Sequence, residues 1–182
     1  MSRIIAGTAG GRRLSTPPGS ATRPTTDRVR EAFFAALAAW NGSGDRGAED
    51  QLEGLSFLDL YAGSGAVGLE AASRGAGPGV AVESDGKTAA VIKSNVAASG
   101  LSVQVRQAKV GSFLDAGLQA AAAERFDVVW LDPPYPVSND DLAPILARVL
   151  ADWLQPDGIV VVERSTRGPA LVVPGHEQWS KK

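Results

Sequence analysis

The sequence contains no cysteine and a single histidine, His176. Disulfides and thiolate metal sites are therefore excluded, and one imidazole cannot build a zinc centre, so no metal is expected. Long apolar runs are missing as well. None approaches the roughly eighteen residues of a membrane helix, and residues 1–7 are too short for the apolar core of a signal peptide. These absences point to a soluble, unprocessed, cytoplasmic protein with no membrane partner; a monomer is expected. Net charge is nearly absent too, at −2, but the small sum conceals an asymmetry. Residues 1–30 carry Arg3, Arg12, Arg13, Arg23, Arg28 and Arg30 against Asp27 alone, a surplus of +5 that leaves −7 for the remainder. Arginine presents a planar fork of donors that suits phosphate, so this cluster, with Thr25 beside it, is a candidate backbone clamp. An ordinary solvated face is the competing reading.

With 44% hydrophobic residues, a chain of 182 can bury one good core, and two full domains are not expected. Residues 1–20 read as a basic arm. Arg3-Ile4-Ile5-Ala6-Gly7 and Arg12-Arg13-Leu14 flank the Gly-rich Thr8-Ala9-Gly10-Gly11, the pattern of a hairpin that must lean on something larger. Residues 21–182 form the main domain. Thr25 or Thr26 caps a helix whose apolar face is expected to hold Val29, Ala32, Phe33, Ala36, Leu37 and Trp40. From about residue 55 the pattern alternates. Strands are expected over 56–60, 79–82, 103–107, 126–131 and 159–163, with helices over 66–74, 85–99, 112–123 and 140–154. Pro156-Asp157-Gly158 reads as the turn before the last strand. The fold class is α/β, a doubly wound parallel sheet of the Rossmann-like kind, with ligands expected at the carboxyl ends of its strands.

Two of those strand ends carry chemistry. Gly63-Ser64-Gly65-Ala66-Val67-Gly68 matches the dinucleotide fingerprint, and Glu83, with Ser84 after it, ends the next strand, where a carboxylate can accept ribose hydroxyls. NAD is therefore one candidate ligand. Asp59 argues for another. Only Leu60, Tyr61 and Ala62 separate it from the glycines, and a carboxylate there repels a pyrophosphate but attracts an ammonium. S-adenosylmethionine has a ribose, an α-ammonium and no phosphate, so Asp59, Tyr61, Ala62, Gly63, Ser64, Gly65, Glu83 and Ser84 suit it better. The second end is Val128-Val129-Trp130-Leu131-Asp132-Pro133-Pro134-Tyr135, a buried strand stopped by an acid, two prolines and a ring. If Asp132 and the Pro133 carbonyl accept the two hydrogens of a planar exocyclic amine, its lone pair is directed at a sulfonium methyl. Pro134 stiffens the edge, and Tyr135 is placed to stack on a base held out of its helix. A guanine 2-amino and an adenine 6-amino group satisfy this chemistry equally.

These strings, with Thr22-Arg23-Pro24-Thr25-Thr26-Asp27-Arg28-Val29-Arg30-Glu31-Ala32-Phe33-Phe34 and Phe57-Leu58-Asp59-Leu60-Tyr61-Ala62-Gly63-Ser64-Gly65, resemble those of the RsmD-type ribosomal-RNA guanine methyltransferases. The resemblance runs from Arg3 to about Glu163. It implies methyl transfer from S-adenosylmethionine to the 2-amino group of one guanine, position 966 in the usual numbering, of 16S ribosomal RNA in an assembled or nearly assembled small subunit. It also implies an adenine site after the third strand. There the family commonly has an acidic or amide residue followed by alanine, and this chain has Lys109-Val110. Relative to such a domain, the chain ends before an expected last strand. With only 54 residues ahead of the sheet, there is little room for a separate reader of duplex grooves, and a folded RNA can present an unstacked base instead. Three rivals stay in view: an adenine 6-amino methyltransferase on DNA or RNA, an NAD-linked oxidoreductase, and a non-catalytic RNA-binding assembly factor.

Overall fold

The computed structural model describes residues 2–17, 27–121, 124–134, 136–164, 169, 171–173 and 175. Its centre is a five-stranded parallel sheet in the order β5-β4-β3-β6-β7, formed by β3 (Phe57–Asp59), β4 (Gly79–Glu83), β5 (Val103–Gln107), β6 (Phe126–Leu131) and β7 (Leu154–Val162). The chain winds outward from β3 in one direction and then from β6 in the other, so the order reverses between these two neighbours. Their register pairs Asp59 with Trp130, while Asp59 also pairs with Ala81 of β4. Central strands covered on both faces read as continuous apolar runs rather than alternations, which is why β3 and nearly all of β6 are buried.

Helices α2 (Ala66–Ser73), α3 (Gly86–Ser99), α4 (Val110–Asp115) and α5 (Asn139–Arg148) follow β3, β4, β5 and β6 in turn. Their ends show the expected signals. The Asp85 side chain accepts from Thr88 N at 2.8 Å to cap α3, and Gly100 ends that helix at φ 72. Ser138 and Asp141 close a reciprocal capping box on α5. The single helix expected over 140–154 is divided, however: a widened turn at Val149–Trp153 follows α5 and delivers Trp153 into the core beside Phe113 and Phe126. Residues 118–121 likewise form a separate short turn after α4. Pro156-Asp157-Gly158 is not a turn preceding the strand. It is a bulge within β7, because Phe126 pairs with Leu154 and Val128 with Ile159. Among the described residues β7 is the outermost strand on its side, and residues 176–182 lie outside them.

The N-terminal strands β1 (Ser2–Arg3) and β2 (Arg13–Leu14) pair antiparallel, as the hairpin pattern predicts. Ile4 N donates to Arg12 O at 2.9 Å and Gly11 N to Ile4 O at 2.8 Å, extending the pairing inward. The support this hairpin needs comes from α2 and α3. Ile4, Ala9 and Leu14 are buried against Leu69 and Ile92. Gly7, at φ 81, lies so close that a Cβ would sit 1.8 Å from Ser73 O. Glu70, fully buried, accepts from Ile5 N at 2.5 Å, Ala6 N at 3.1 Å and Arg74 Nε at 2.8 Å. Glu70→Ala would orphan two amides and strand a guanidinium that is itself buried. A loss of about 3–5 kcal/mol in denaturant unfolding is expected, whereas a change under about 1 kcal/mol would mean the hairpin is loosely held.

Helix α1 (Asp27–Trp40) docks in a different rotation from the one the apolar pattern predicts. Its buried residues are Arg30, Phe34, Leu37 and Ala38, while Val29 and Trp40 are 47% and 37% exposed. Phe34 and Leu37 pack against Leu52, Phe57, Val128 and Trp130, and Phe33 sits half-buried at the border with its ring 4.6 Å from that of Trp130. The cap expected from Thr25 or Thr26 falls outside the described residues.

Candidate active site

At the carboxyl end of the sheet the chain leaves β3 across the crevice made by the reversal of strand order. Leu60 N donates to Trp130 O of β6 at 3.0 Å and Ala62 N to Val82 O of β4 at 3.0 Å, so the segment is held from both sides. The turn that follows needs glycine twice, with Gly63 at φ 54 and Gly65 at φ 79. At Gly65 a Cβ would also meet Ile92 Cγ2 of α3 at 2.8 Å, so this residue sets how closely the turn lies on that helix.

Asp59 sits beneath this turn, 1% exposed. Burial, first of all, pushes its carboxyl from an ordinary 3.8 up to about 7. The backbone N–H groups of Tyr61 and Gly68 pull downward, while the charges of Asp132 and Glu83 add to the rise. Asp59 Oδ1 has no hydrogen-bond partner among the described residues. A buried carboxylate with an open acceptor and two acidic neighbours is matched to a cation, since only added positive charge relieves both deficits.

Glu83 is tied at both oxygens and keeps acceptor capacity. Its Oε2 accepts from Gly63 N at 3.1 Å, and its Oε1 accepts from Asp85 N at 2.8 Å and from Ser84 Oγ at 3.4 Å, which leaves an acceptor position on Oε2 for a ligand hydroxyl. Tyr61, Glu83, Ser84, Lys109 and Val110 line one cleft of about 230 Å³, so the structure brings together residues singled out on three separate strand ends. Gly111 and Ile145 also line it and escape sequence reasoning. Gly111 differs from other loop-adjacent glycines in nothing legible, and Ile145 reads only as one apolar position of α5. Val110 is buried and Lys109 exposed, so an apolar surface backs the cleft where the Lys109-Val110 string begins α4.

Asp132, half-buried, lies immediately after β6 and two residues beyond the register partner of Asp59. Pro133 is buried and Pro134 exposed, and the Pro134 carbonyl accepts from Val137 N at 2.9 Å, which closes the chain into a tight turn. Tyr135 lies outside the described residues. The edge therefore carries a carboxylate on a backbone that two prolines and a turn bond hold still, facing the crevice from the strand next to β3.

The arginines divide. Arg13 and Arg28 are exposed. Arg3 is exposed and pairs with Asp27 at 3.2 Å, and the exposed Arg12 reaches the Ala98 carbonyl with Nη1. Arg30 departs from the expected phosphate-facing position: it is fully buried, with Nη2 on Asp27 Oδ1 at 2.6 Å and on Arg3 O at 2.8 Å. The apolar rotation of α1 explains this, since residue 30 lies four and seven positions ahead of Phe34 and Leu37 on the inward face. Arg23 and Thr25 fall outside the described residues. Among those residues, no group of three His, Asp or Glu side chains could hold a metal ion.

Comparison with known proteins shows the family of the chain. The profile of the family described as conserved hypothetical protein 95 matches residues 2–182. The chain belongs to that family. Within the similarity stand the ribosomal RNA small subunit methyltransferase D of Haemophilus influenzae, 33% identical over 98% of this chain and 84% of its own length, and the protein of that name from Escherichia coli K12, 31% identical over 98% and 81%. The solved structure of the Escherichia coli yhhF protein is 29% identical, with a TM-score of 0.77 over 96% of this chain and 86% of that one. The RsmD-type resemblance is thereby borne out, and the five-stranded parallel sheet together with this structural neighbour, named as a methyltransferase, gives the fold as Rossmann-like, of the S-adenosylmethionine-dependent methyltransferase kind.

Proposed function

We propose that the protein transfers a methyl group from S-adenosylmethionine to the exocyclic 2-amino group of a guanine in 16S ribosomal RNA of the small subunit, in the cytoplasm. The observation that carries this reading is the pair of acids at the switch point. Asp59 is buried with an open oxygen under the glycine turn, and Asp132 stands on a rigid edge beside it. Relatives named as small-subunit ribosomal RNA methyltransferases support the substrate class. No helix among the described residues is long and apolar enough to cross a membrane.

The residues present fit the cofactor. Asp59 would face its α-ammonium, Glu83 its ribose, and the Val110 wall its adenine, read by backbone atoms rather than by a side-chain carboxylate. The cofactor supplies an electrophilic methyl; everything else falls to the chain. An exocyclic amine is a poor nucleophile because its lone pair is delocalised into the base. Asp132 and the Pro133 carbonyl would accept its two hydrogens, orienting the nitrogen and giving it tetrahedral character. A half-buried carboxylate has no need to deprotonate the neutral amine, because the proton leaves the acidic cation formed on transfer. Tyr135 would stack on the base. An oxidoreductase reading gains no support from a buried acid below the glycine turn, where a pyrophosphate would be repelled.

The test is label transfer. Incubated with methyl-labelled S-adenosylmethionine, the protein should label undermethylated small subunits well above duplex DNA; label in DNA alone, or in nothing, overturns the proposal. A phosphate role for the exposed hairpin arginines predicts that replacing Arg12 and Arg13 with alanine reduces the slope of log affinity for RNA against log salt by about 1–2. An unchanged slope would remove the hairpin from the RNA footprint.

A further inference from the structure

The hairpin and the glycine turn are tied together at two points by buried side chains that belong to neither. Asn95, on α3 and 4% exposed, accepts from Ser15 N at 2.9 Å and donates to Ser15 O at 2.9 Å and Ser64 O at 3.0 Å. It therefore grips the chain just after β2 and the middle of the turn at once. Arg30, on α1 and fully buried, donates to Arg3 O at 2.8 Å and Ala66 O at 3.3 Å, joining the strand at the other end of the hairpin to the far side of the same turn. The two acceptor carbonyls, Ser64 and Ala66, flank Gly65, whose left-handed backbone sets the turn's path. Neither side chain lines the cleft.

We propose that Asn95 and Arg30 are positioning residues that couple the basic hairpin to the cofactor turn, so that RNA held by the hairpin tightens cofactor binding. The proposal rests on the RNA and cofactor reading above. Purely structural pins would need only to reach the framework of α2 and α3, which Glu70 and Ser73 already provide for the hairpin. Instead the additional contacts end on the carbonyl of Ser64, within the turn expected to wrap the cofactor, and on that of Ala66, where this turn passes into α2. Both bonding side chains are themselves buried, so a displaced partner leaves them poorly satisfied, and a shift at one end is felt at the other. Linkage makes the effect reciprocal: whatever factor RNA adds to cofactor affinity, cofactor adds to RNA affinity.

The experiment uses the full chain and tritiated S-adenosylhomocysteine, which binds without turnover, in equilibrium dialysis with and without saturating undermethylated small subunits. For the unaltered protein the subunits should tighten binding by roughly tenfold, within the usual range for coupled sites. Asn95→Asp retains the acceptor for Ser15 N but turns an oxygen toward the Ser15 and Ser64 carbonyls. In that variant the factor should fall to about 1–2 while binding of each ligand alone persists. Should the variant fail to fold, the unaltered protein still decides: with subunits and no cofactor, amide exchange across residues 63–66 should slow. An equal coupling factor in both proteins, no coupling in the unaltered protein, or exchange that ignores the subunits overturns the proposal while leaving the catalytic reading intact. Failure of the unaltered protein to bind either ligand overturns the functional reading and this proposal with it.

Discussion

Asp132→Ala is expected to lower methyl transfer about a thousandfold, equivalent to about 4 kcal/mol of transition-state stabilisation, while S-adenosylhomocysteine affinity stays within a few fold. The asymmetry follows from where the residue stands. Asp132 directly follows β6 and is not among the residues that line the cleft, so under the proposed function its removal would deprive the amine of an acceptor and leave that lining as before. Asp132→Asn keeps one acceptor oxygen and loses the charge, and should retain more activity than the alanine variant. Single-turnover rates with labelled cofactor check both. Loss of cofactor binding or of cooperative unfolding in Asp132→Ala would instead make the acid a brace for the proline turn.

Cofactor affinity is expected to rise with pH through about 7, and Asp59 is the reason. In the free protein its carboxyl titrates near 7 because burial, and then the charges of Asp132 and Glu83, disfavour the ionised form. A bound cation favours the carboxylate, so binding at pH 6 must first release a proton. Affinity there should be about tenfold weaker than on the plateau above pH 8, and Asp59→Asn should flatten the profile at a lower value. The same shift has the opposite sign for stability. A folded value of about 7 against an ordinary 3.8 means the folded chain holds the extra proton between those limits. The contribution of this group is therefore complete below about pH 4 and is lost as pH rises to 7. Urea midpoints of the free protein should fall over that interval and lose this part of the slope in Asp59→Asn. A pH-independent cofactor affinity would show that Asp59 does not meet the ammonium.

What the sequence discloses here follows the range of each signal. Strand β6 is legible to the residue because a parallel strand buried on both faces leaves a nearly unbroken apolar run, β5 because its valines alternate with polar residues at the sheet edge, and α3 because Asp85 and Gly100 mark its ends. The site's acids are legible because each closes a strand. The bulge in β7 is not: Pro156-Asp157-Gly158 has the local chemistry of a turn, and only pairing with Phe126 on one side and Val128 on the other makes it part of a strand. Arg30 is illegible for a related reason. Charge places an arginine outside, and its burial depends on acceptors at Asp27, Arg3 and Ala66 that only the packed hairpin and turn bring together. Val29 and Trp40 mislead in the opposite sense, since their size suggests an inward face that Phe34 and Leu37 occupy.

Under the proposed function, the Asp132 edge presents a guanine 2-amino group of small-subunit ribosomal RNA to the donor methyl. The most direct measurement of this is the identity of the product nucleoside after reaction with undermethylated small subunits, read by mass spectrometry of the digested RNA. One labelled species, 2-methylguanosine, is expected, and it should be abolished in Asp132→Ala. Labelled 6-methyladenosine would contradict the proposed function.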